Sequence, residues 1–390
     1  MKFANLIKVS AEKDGGHNVE YLMRQIDAYT FEFGINRFGA APVFSKRPMT
    51  LWERTYQRKI GEGYADRTPL LTEDTGPKYA EIKDVSVRAL WEDLTAVARK
   101  VLDDTYSDRI ETFTAAVAAQ ARTLITTLHS AGTVESFNDT LLSLFAVMPR
   151  KMQDVSTYLA ADRSDFPGII ERENDLLDVI EGQIRIRETH PEPEQTILDS
   201  LGLSIRPCTD AENESIRKHL REKSRAVFRR GFRVKNKSTE ERFWNFVEDG
   251  GYEKEDIRFL YHGSKNENMV GLLTEGPSIN PDAVRTAAMF GSAMIYTADS
   301  SDKSLGYTSL RHSFWAHGTA DKAYMLVYKV VYNNQIDIYK WEKYLSTMCA
   351  EKMRGHDALF CHKGKMLRNN EIVLPYEAQL TVQYLLELAV

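Results

Sequence analysis

Three stretches in the C-terminal half of the chain decide its fold: LYHGS at residues 260–264, MFGSAMIYTADSSDKSLGYTS at 289–309 and NNEIVLPYEAQLTVQYLLEL at 369–388. Each contains a short apolar or aromatic run of the kind found in strands. The first run ends at a glycine, and the second leads into a serine-rich helix start. The pattern predicts a mixed α and β domain whose strand ends carry polar side chains.

These strand ends carry the residue types of a small-molecule site. His262 stands at the end of the first strand, and Gly263 beside it lets a ligand approach the backbone closely. Tyr296 lies on the second strand, and Ser304 and Tyr307 follow at the helix start. Two aromatic rings and a serine hydroxyl suit a flat heterocycle that bears an amide, such as nicotinamide.

Taken singly, these residues have simpler interpretations. A lone His at a strand end is more often structural, and a lone Glu such as Glu371 is usually on a solvated face. The glycine-rich phosphate-binding fingerprints of P-loop and dinucleotide folds are missing. We expect no metal site, because the spacing of the remaining candidate ligands matches none of the paired zinc patterns: Cys349, His356, Cys361 and His362.

The three stretches together, in this order and register, resemble the His-Tyr-Glu class of ADP-ribosyltransferases, the poly(ADP-ribose) polymerase family. The resemblance runs from about residue 196 to the C-terminus and includes MLVYKVVY and GHDALF. It implies a catalytic domain with a split antiparallel sheet. It also implies NAD⁺ as co-substrate, with ADP-ribose transferred to protein or nucleic-acid acceptors, including the protein itself.

The resemblance also implies a role for each matching residue. Glu371, His262 and Tyr296 would be the catalytic set, with Glu371 stabilising the oxocarbenium-like transition state and activating the nucleophile. The NAD⁺ contacts would come from His262 to the adenosine ribose, Gly263 and Ser304 to the carboxamide, Tyr307 to the nicotinamide ring and Tyr296 to the nicotinamide ribose. Whether ADP-ribose is added singly or in chains stays open.

Two further residues flank this predicted site. Lys303 would help to place an acceptor ribose, and its alternative interpretation is a solvated lysine. Arg285 is a candidate pyrophosphate contact. The sequence departs from the family pattern at MFGSAMIY, which is one residue longer than usual between its Gly and Tyr and has Ala293 in place of a frequent Gly.

Residues 1–75 resemble a WGR domain, the DNA-end-sensing module of this family. Alternation at residues 29–36 predicts a strand, and the segment 49–60 predicts a helix. The signature itself departs, since Arg37-Phe38-Gly39-Ala40 stands where the family has Arg-Trp-Gly-Arg. We expect DNA contacts from Arg37, Phe38, Trp52 and Arg54, with Phe38 stacking on an exposed sugar or base.

Residues 84–188 carry apolar residues at helical spacing in four runs and predict an all-α bundle. It lies where the family has its autoinhibitory domain. A Pro-punctuated acidic linker follows at residues 189–194. The sequence therefore predicts a multidomain α+β protein: a small β-rich WGR-like domain at 1–75, a helical bundle at 84–188 and a mixed α/β ADP-ribosyltransferase domain at 196–390.

Bulk composition limits the other possibilities. The 390 residues carry a net charge of −5, so any nucleic-acid contact must come from a local basic patch. The odd number of cysteines, three, and the lack of a secretory signal predict a reducing, intracellular location: the cytoplasm or nucleoid in a prokaryote or phage, the nucleus in a eukaryote. No stretch approaches the roughly 20 apolar residues that span a bilayer.

Three functional hypotheses follow. The first is a transferase that DNA ends or nicks activate, and the second is a transferase without DNA control that modifies one target. The third is a catalytically idle scaffold that binds NAD⁺ or ADP-ribose in a DNA-repair assembly. Intact His262, Tyr296 and Glu371 favour the first two.

Overall fold

The computed structural model describes residues 2–10, 17–37, 43–68, 79–107, 112–189, 194–279, 289–291 and 293–390. The chain divides into two compact units. One comprises Met1–Thr75 and Arg99–Ile184, and the other comprises Gly76–Ala98 and Arg185–Val390.

The N-terminal part of the first unit is an antiparallel sheet with one helix. Its elements are β1 (Phe3–Ser10), β2 (His17–Gln25), β3 (Thr30–Arg37), β4 (Val43–Pro48), α1 (Trp52–Gly61) and β5 (Ala65–Asp66), and its strand order is β4-β3-β2-β1-β5. Trp52 of α1 packs edge-on against Phe31, with ring centroids 5.2 Å apart. The strand predicted at residues 29–36 and the helix predicted at 49–60 are confirmed.

The four predicted helical runs are also confirmed: α2 (Val85–Thr105), α3 (Ala115–His129), α4 (Val134–Val147) and α5 (Phe166–Glu188). Thr114 and Thr133 cap the N-termini of α3 and α4 with their side chains. Because α4 packs against β1, most of this helical stretch groups with the N-terminal sheet. One unit boundary falls after Thr75, where the first domain is predicted to end, and the other two fall within α2 and α5. The predicted start of the helical bundle at residue 84 therefore lies inside the second unit rather than at a unit boundary.

The second unit has a mixed α+β fold. From residue 185 onward its elements are α6 (Ile197–Ser200), β6 (Leu203–Pro207), α7 (Asp210–His219), α8 (Glu222–Val227), β7 (Phe228–Asn236), α9 (Lys237–Asp249), β8 (Ile257–Gly263), α10 (Met269–Thr274), β9 (Ile295–Thr297), α11 (Ser301–Leu305), β10 (Lys322–Val331), β11 (Gln335–Ile338), β12 (Ala358–Cys361), β13 (Glu371–Leu374) and β14 (Leu380–Ala389).

These strands form two sheets. The first has the order β6-β7-β14-β10-β8 and is antiparallel throughout, whereas the second has the order β11-β12-β13-β9. In the second sheet β11 and β12 are parallel, so the split sheet is not purely antiparallel as the resemblance implied. The two sheets meet where Tyr261 of β8 and Ala298, just after β9, exchange backbone hydrogen bonds of 2.8 and 3.0 Å. This junction brings the strand ends of the three diagnostic stretches together.

Within the residues that the structure describes, no helix is long and apolar enough to cross a membrane.

Candidate active site

His262 lies at the junction of the two sheets. Its Nδ1 is 2.9 Å from the backbone oxygen of Tyr296, and its ring stands edge-on to Tyr328 with centroids 6.0 Å apart. A carbonyl oxygen only accepts hydrogen bonds, so Nδ1 carries a proton. This contact fixes the orientation of the imidazole between β8 and β9.

Tyr296 is anchored through its hydroxyl as well as through its strand. The hydroxyl donates to the backbone oxygen of Gly291 at 2.8 Å and accepts from the backbone N–H of Phe290 at 3.0 Å. Tyr296 therefore ties β9 to the chain segment that precedes it, a role that sequence reasoning missed.

Gly263 lets α11 approach β8. A Cβ at this position would lie 1.8 Å from the backbone oxygen of Ser304, far inside contact distance. Ser304 itself is buried, with 3 % of its surface exposed. Because Gly263 has no side chain, Ser304 can lie beside the end of β8.

Glu371 and Lys303 form an ion pair at the start of β13. The Nζ of Lys303 is 2.7 Å from Oε1 of Glu371, and each side chain is only 10 % exposed. The solvated interpretation of both residues is therefore wrong. Because water is largely excluded, the Coulomb attraction within this pair is stronger than in a surface pair, while desolvation of both groups offsets much of it. The contact holds the carboxylate of Glu371 in place.

Glu371 contributes to raising the pKa of two neighbouring groups, Tyr307 and Cys361. Burial first, and then the charge of Glu371, raise the pKa of Tyr307 to about 12, so its hydroxyl stays neutral at physiological pH. Cys361 lies opposite Glu371 in the β12–β13 register. Burial and the same carboxylate raise the pKa of the Cys361 thiol strongly, partly offset by Lys303. The thiol therefore stays protonated and is a poor metal ligand or nucleophile.

An aromatic neighbour of Tyr307 was not predicted. The ring of Trp315 lies nearly parallel to that of Tyr307, at 19° with centroids 6.1 Å apart, and Trp315 is 55 % exposed. The two positions are separated by a loop, so no periodic pattern in the sequence links them.

The remaining predicted residues are not part of this arrangement. Arg285 and Phe38 lie outside the described residues, and Arg37 ends β3. Arg54 is exposed on α1. Trp52 is 5 % exposed in the core of the first sheet, so we correct its assignment from a DNA contact to a packing residue. Among the described residues, no group of three or more His, Cys, Asp or Glu side chains is arranged to hold a metal ion.

Comparison with known proteins supports the resemblance to the ADP-ribosyltransferases. Residues 212–358 match the family model of the poly(ADP-ribose) polymerase (PARP) catalytic domain. The match supports the PARP family and an ADP-ribosyltransferase-type function in general, and enzymes of this family use NAD⁺ as substrate. It includes His262, Tyr296 and Ser304 and ends before Glu371.

A viral protein is similar to part of the chain. The uncharacterized protein 101L of Invertebrate iridescent virus 6 is 22 % identical over 186 residues, which cover 47 % of this chain and 78 % of the viral protein. It is itself uncharacterised, so the similarity adds no activity to the PARP match.

The hydroxyl of Tyr296 gives a first prediction. Replacing Tyr296 by Phe removes both hydrogen bonds to residues 290 and 291, and we expect a loss of about 1–3 kcal/mol in unfolding free energy. We also expect KM for NAD⁺ to rise more than kcat falls, because the change frees the segment at residues 290 and 291 and leaves the carboxylate of Glu371 in place. Thermal unfolding and steady-state kinetics check this.

Tyr384→Phe is the matched control, since its hydroxyl accepts from Arg233 in the other sheet at 3.0 Å. We expect it to change stability but not KM. An unchanged KM in Tyr296→Phe would contradict the anchoring role.

Proposed function

We propose that the protein is an NAD⁺ ADP-ribosyltransferase of the PARP type that acts on protein or nucleic-acid acceptors. The observation that carries the proposal is Glu371: a carboxylate buried with Lys303 and placed on the strand next to Tyr296. Buried carboxylates are rare unless they are paired or functional. Glu371 is paired with Lys303, and it lies among the residues of the family motif.

The side chains present fit nicotinamide riboside, the part of NAD⁺ that reacts. Tyr296 and Tyr307 supply aromatic rings for a planar heterocycle, and Ser304 beside Gly263 supplies a hydroxyl for its carboxamide. The carboxylate of Glu371 suits a ribose hydroxyl and a developing positive charge. These side chains thus offer contacts for the ring, the amide and the ribose of nicotinamide riboside.

The chemistry that we propose follows from this charge. The bond between nicotinamide and ribose C1 breaks, and its electron pair leaves with nicotinamide, which departs neutral. An acceptor oxygen forms the new bond to C1 and loses its proton to the carboxylate of Glu371. The negative charge of Glu371 stabilises the cationic sugar between these events, as carboxylates do in glycoside hydrolysis.

Lys303 has two parts in this proposal. It holds the Glu371 carboxylate in place through the 2.7 Å contact, and it offers a cation to an acceptor that enters beside the pair.

DNA stimulation is the finer part of the proposal. Its support is the WGR-like N-terminal sequence, with Arg37 at the end of β3 and Arg54 exposed on α1. Such control requires DNA to bind the active state more tightly than the inactive one.

The test measures nicotinamide release and incorporation of ADP-ribose from labelled NAD⁺, with and without nicked or blunt-ended DNA. We expect turnover, with incorporation into the protein itself, and a higher rate when DNA is present. Equal rates without DNA would leave a transferase that lacks DNA control. Absence of turnover under all conditions, with NAD⁺ still bound, would contradict the enzyme and favour the idle scaffold.

A further inference from the structure

A strongly basic segment lies in the second unit. Residues 217–237 contain ten Lys and Arg residues and one acidic residue, Glu222, in a chain whose net charge is −5. The segment covers the end of α7, all of α8 and β7. Lys218 pairs with Glu214 and Arg230 with Glu387, which lie outside the segment. The remaining excess of basic residues gives a local positive potential that the net charge of the whole chain does not reveal.

This segment is attached directly to α11. The backbone N–H and the hydroxyl of Ser224 donate to Asp302 at 2.8 and 2.7 Å, and the backbone N–H of Arg221 donates to Ser301 at 2.9 Å. The next residue after Asp302 is Lys303, the partner of Glu371. The basic segment is therefore fixed one residue away from the proposed catalytic pair.

Several of its basic side chains are exposed: Arg221, Lys223 and Arg225. The guanidinium of Arg225 also donates to the backbone oxygen of Leu220 at 2.7 Å. Within the described part of the chain, neither Arg221 nor Lys223 forms a salt bridge. These side chains are free to meet an anionic partner at low cost, because no internal ion pair has to be broken.

Two exposed aromatic rings lie at the other end of α11. Trp315 is 55 % exposed and Phe314 is 58 % exposed, and the two rings meet edge to face with centroids 4.6 Å apart. The backbone N–H of Trp315 donates to the oxygen of Gly306 at 2.8 Å. The guanidinium of Arg368 lies 5.6 Å from the centroid of the Phe314 ring. The rings are thus held beside Tyr307, with a further cation next to them.

The loop that holds these rings is constrained. His312 and His317 have φ values of 67° and 48°, in the left-handed region that residues with side chains rarely adopt. A Cβ at Gly318 would lie 2.3 Å from the backbone of Ser309, and the N–H of Gly318 donates to the hydroxyl of Ser313 at 2.7 Å. This constrained loop holds two large rings in contact with water, which makes them candidates for contacts with a ligand.

We propose that this surface, the α11 surface formed by Arg221, Lys223, Arg225, Phe314, Trp315 and Arg368, binds single-stranded nucleic acid. Phosphates meet the basic side chains and a base stacks on the exposed rings, the two contacts that non-specific single-strand binding combines. A duplex keeps its bases stacked inside and cannot offer one to Trp315. An acidic peptide matches the charge but brings no planar base. The inference goes beyond the transferase and does not depend on its activity.

The experiment measures binding of the full chain to a fluorescent 12-nucleotide single strand by anisotropy, at several salt concentrations and without NAD⁺. We expect binding that weakens with salt, and a loss of roughly ten-fold or more in the Phe314→Ala, Trp315→Ala double variant. Arg221→Glu with Lys223→Glu should weaken binding and reduce the slope of log K against log salt by about 0.7 for each phosphate that the variant no longer neutralises.

Matched controls are present in the same unit. Trp244 is 46 % exposed on α9, and Lys340 and Lys343 are exposed beside β11. We expect Trp244→Ala and the Lys340→Glu, Lys343→Glu variant to bind like the wild type. Equal losses of affinity in the test and control variants would overturn the proposal, and so would a failure of the wild type to bind the single strand at low salt. Tight binding of poly(ADP-ribose) or of duplex DNA, with no binding of the single strand, would overturn it as well. Because the assay contains no NAD⁺, an inactive enzyme would not change its outcome.

Discussion

Replacing Glu371 by Gln should lower the rate of nicotinamide release about 10²–10³-fold, with little change in the affinity for NAD⁺. The amide keeps the shape and one hydrogen-bond acceptor for Lys303, but it removes the negative charge. A charge that stabilises the transition state more than the ground state affects kcat rather than binding. Removing one such electrostatic contact usually costs two to three orders of magnitude. The measurement is a single-turnover rate of release from labelled NAD⁺.

Glu387→Gln is the matched control for this change. Glu387 also pairs with a cation, Arg230 at 3.0 Å, but it lies on β14 in the other sheet. We expect its rate to stay close to that of the wild type. Thermal unfolding of both variants establishes that each is folded. A folded Glu371→Gln protein that retains the wild-type rate would remove Glu371 from the mechanism.

The proximity of the three C-terminal motifs could be predicted from the sequence in part, because their residues lie on or beside short strands. A strand end places one side chain at one point, so the order of motifs that carry His262, Tyr296 and Glu371 constrains where they meet once the strands pair. The structure brings His262 and Tyr296 into contact at 2.9 Å and pairs β13 with β9. The pairing of these two strands itself was not predicted, because a strand pattern does not determine which strands become neighbours.

The contacts between side chains from different motifs could not be predicted. The ion pair of Lys303 and Glu371 joins residues 68 positions apart, and the stacking of Tyr307 with Trp315 depends on a loop whose conformation has no periodicity. The hydroxyl of Tyr296 binds backbone groups, and backbone groups carry no sequence signal. Each of these contacts is set by tertiary packing rather than by local pattern.

In the N-terminal region the secondary structure could be predicted, but the role of an individual side chain could not. The strand and the helix follow from alternation and helical spacing, and both are present. Trp52 is one of the residues expected to contact DNA, yet its ring packs on Phe31. An aromatic residue on the inner face of α1 stabilises the fold more when it is buried, because burial contributes about 25 cal/mol per Å².

Replacing Gly263 by Ala should damage both stability and catalysis. The new Cβ would lie 1.8 Å from the backbone oxygen of Ser304, and no side chain there can move aside. Either β8 or α11 must shift, and overpacking of this kind costs about 1–3 kcal/mol or more of unfolding free energy. A shift of α11 also displaces Lys303 and Ser304, and a misplacement of about 1 Å at such a site costs roughly 10²-fold in rate. Urea unfolding and nicotinamide release measure the two effects.

Gly271→Ala separates this clash from a general effect of adding a methyl group. Gly271 lies in α10 of the same unit, and a Cβ there would have no atom within 4 Å. Because alanine restricts the unfolded chain and favours a helix, this variant should be as stable as the wild type or more stable by about 0.4–1 kcal/mol. Its rate should be unchanged. If Gly263→Ala behaved like Gly271→Ala in both measurements, the close approach of α11 to β8 would not be what positions Lys303 for Glu371. The carboxylate would then have to be held by contacts within its own sheet.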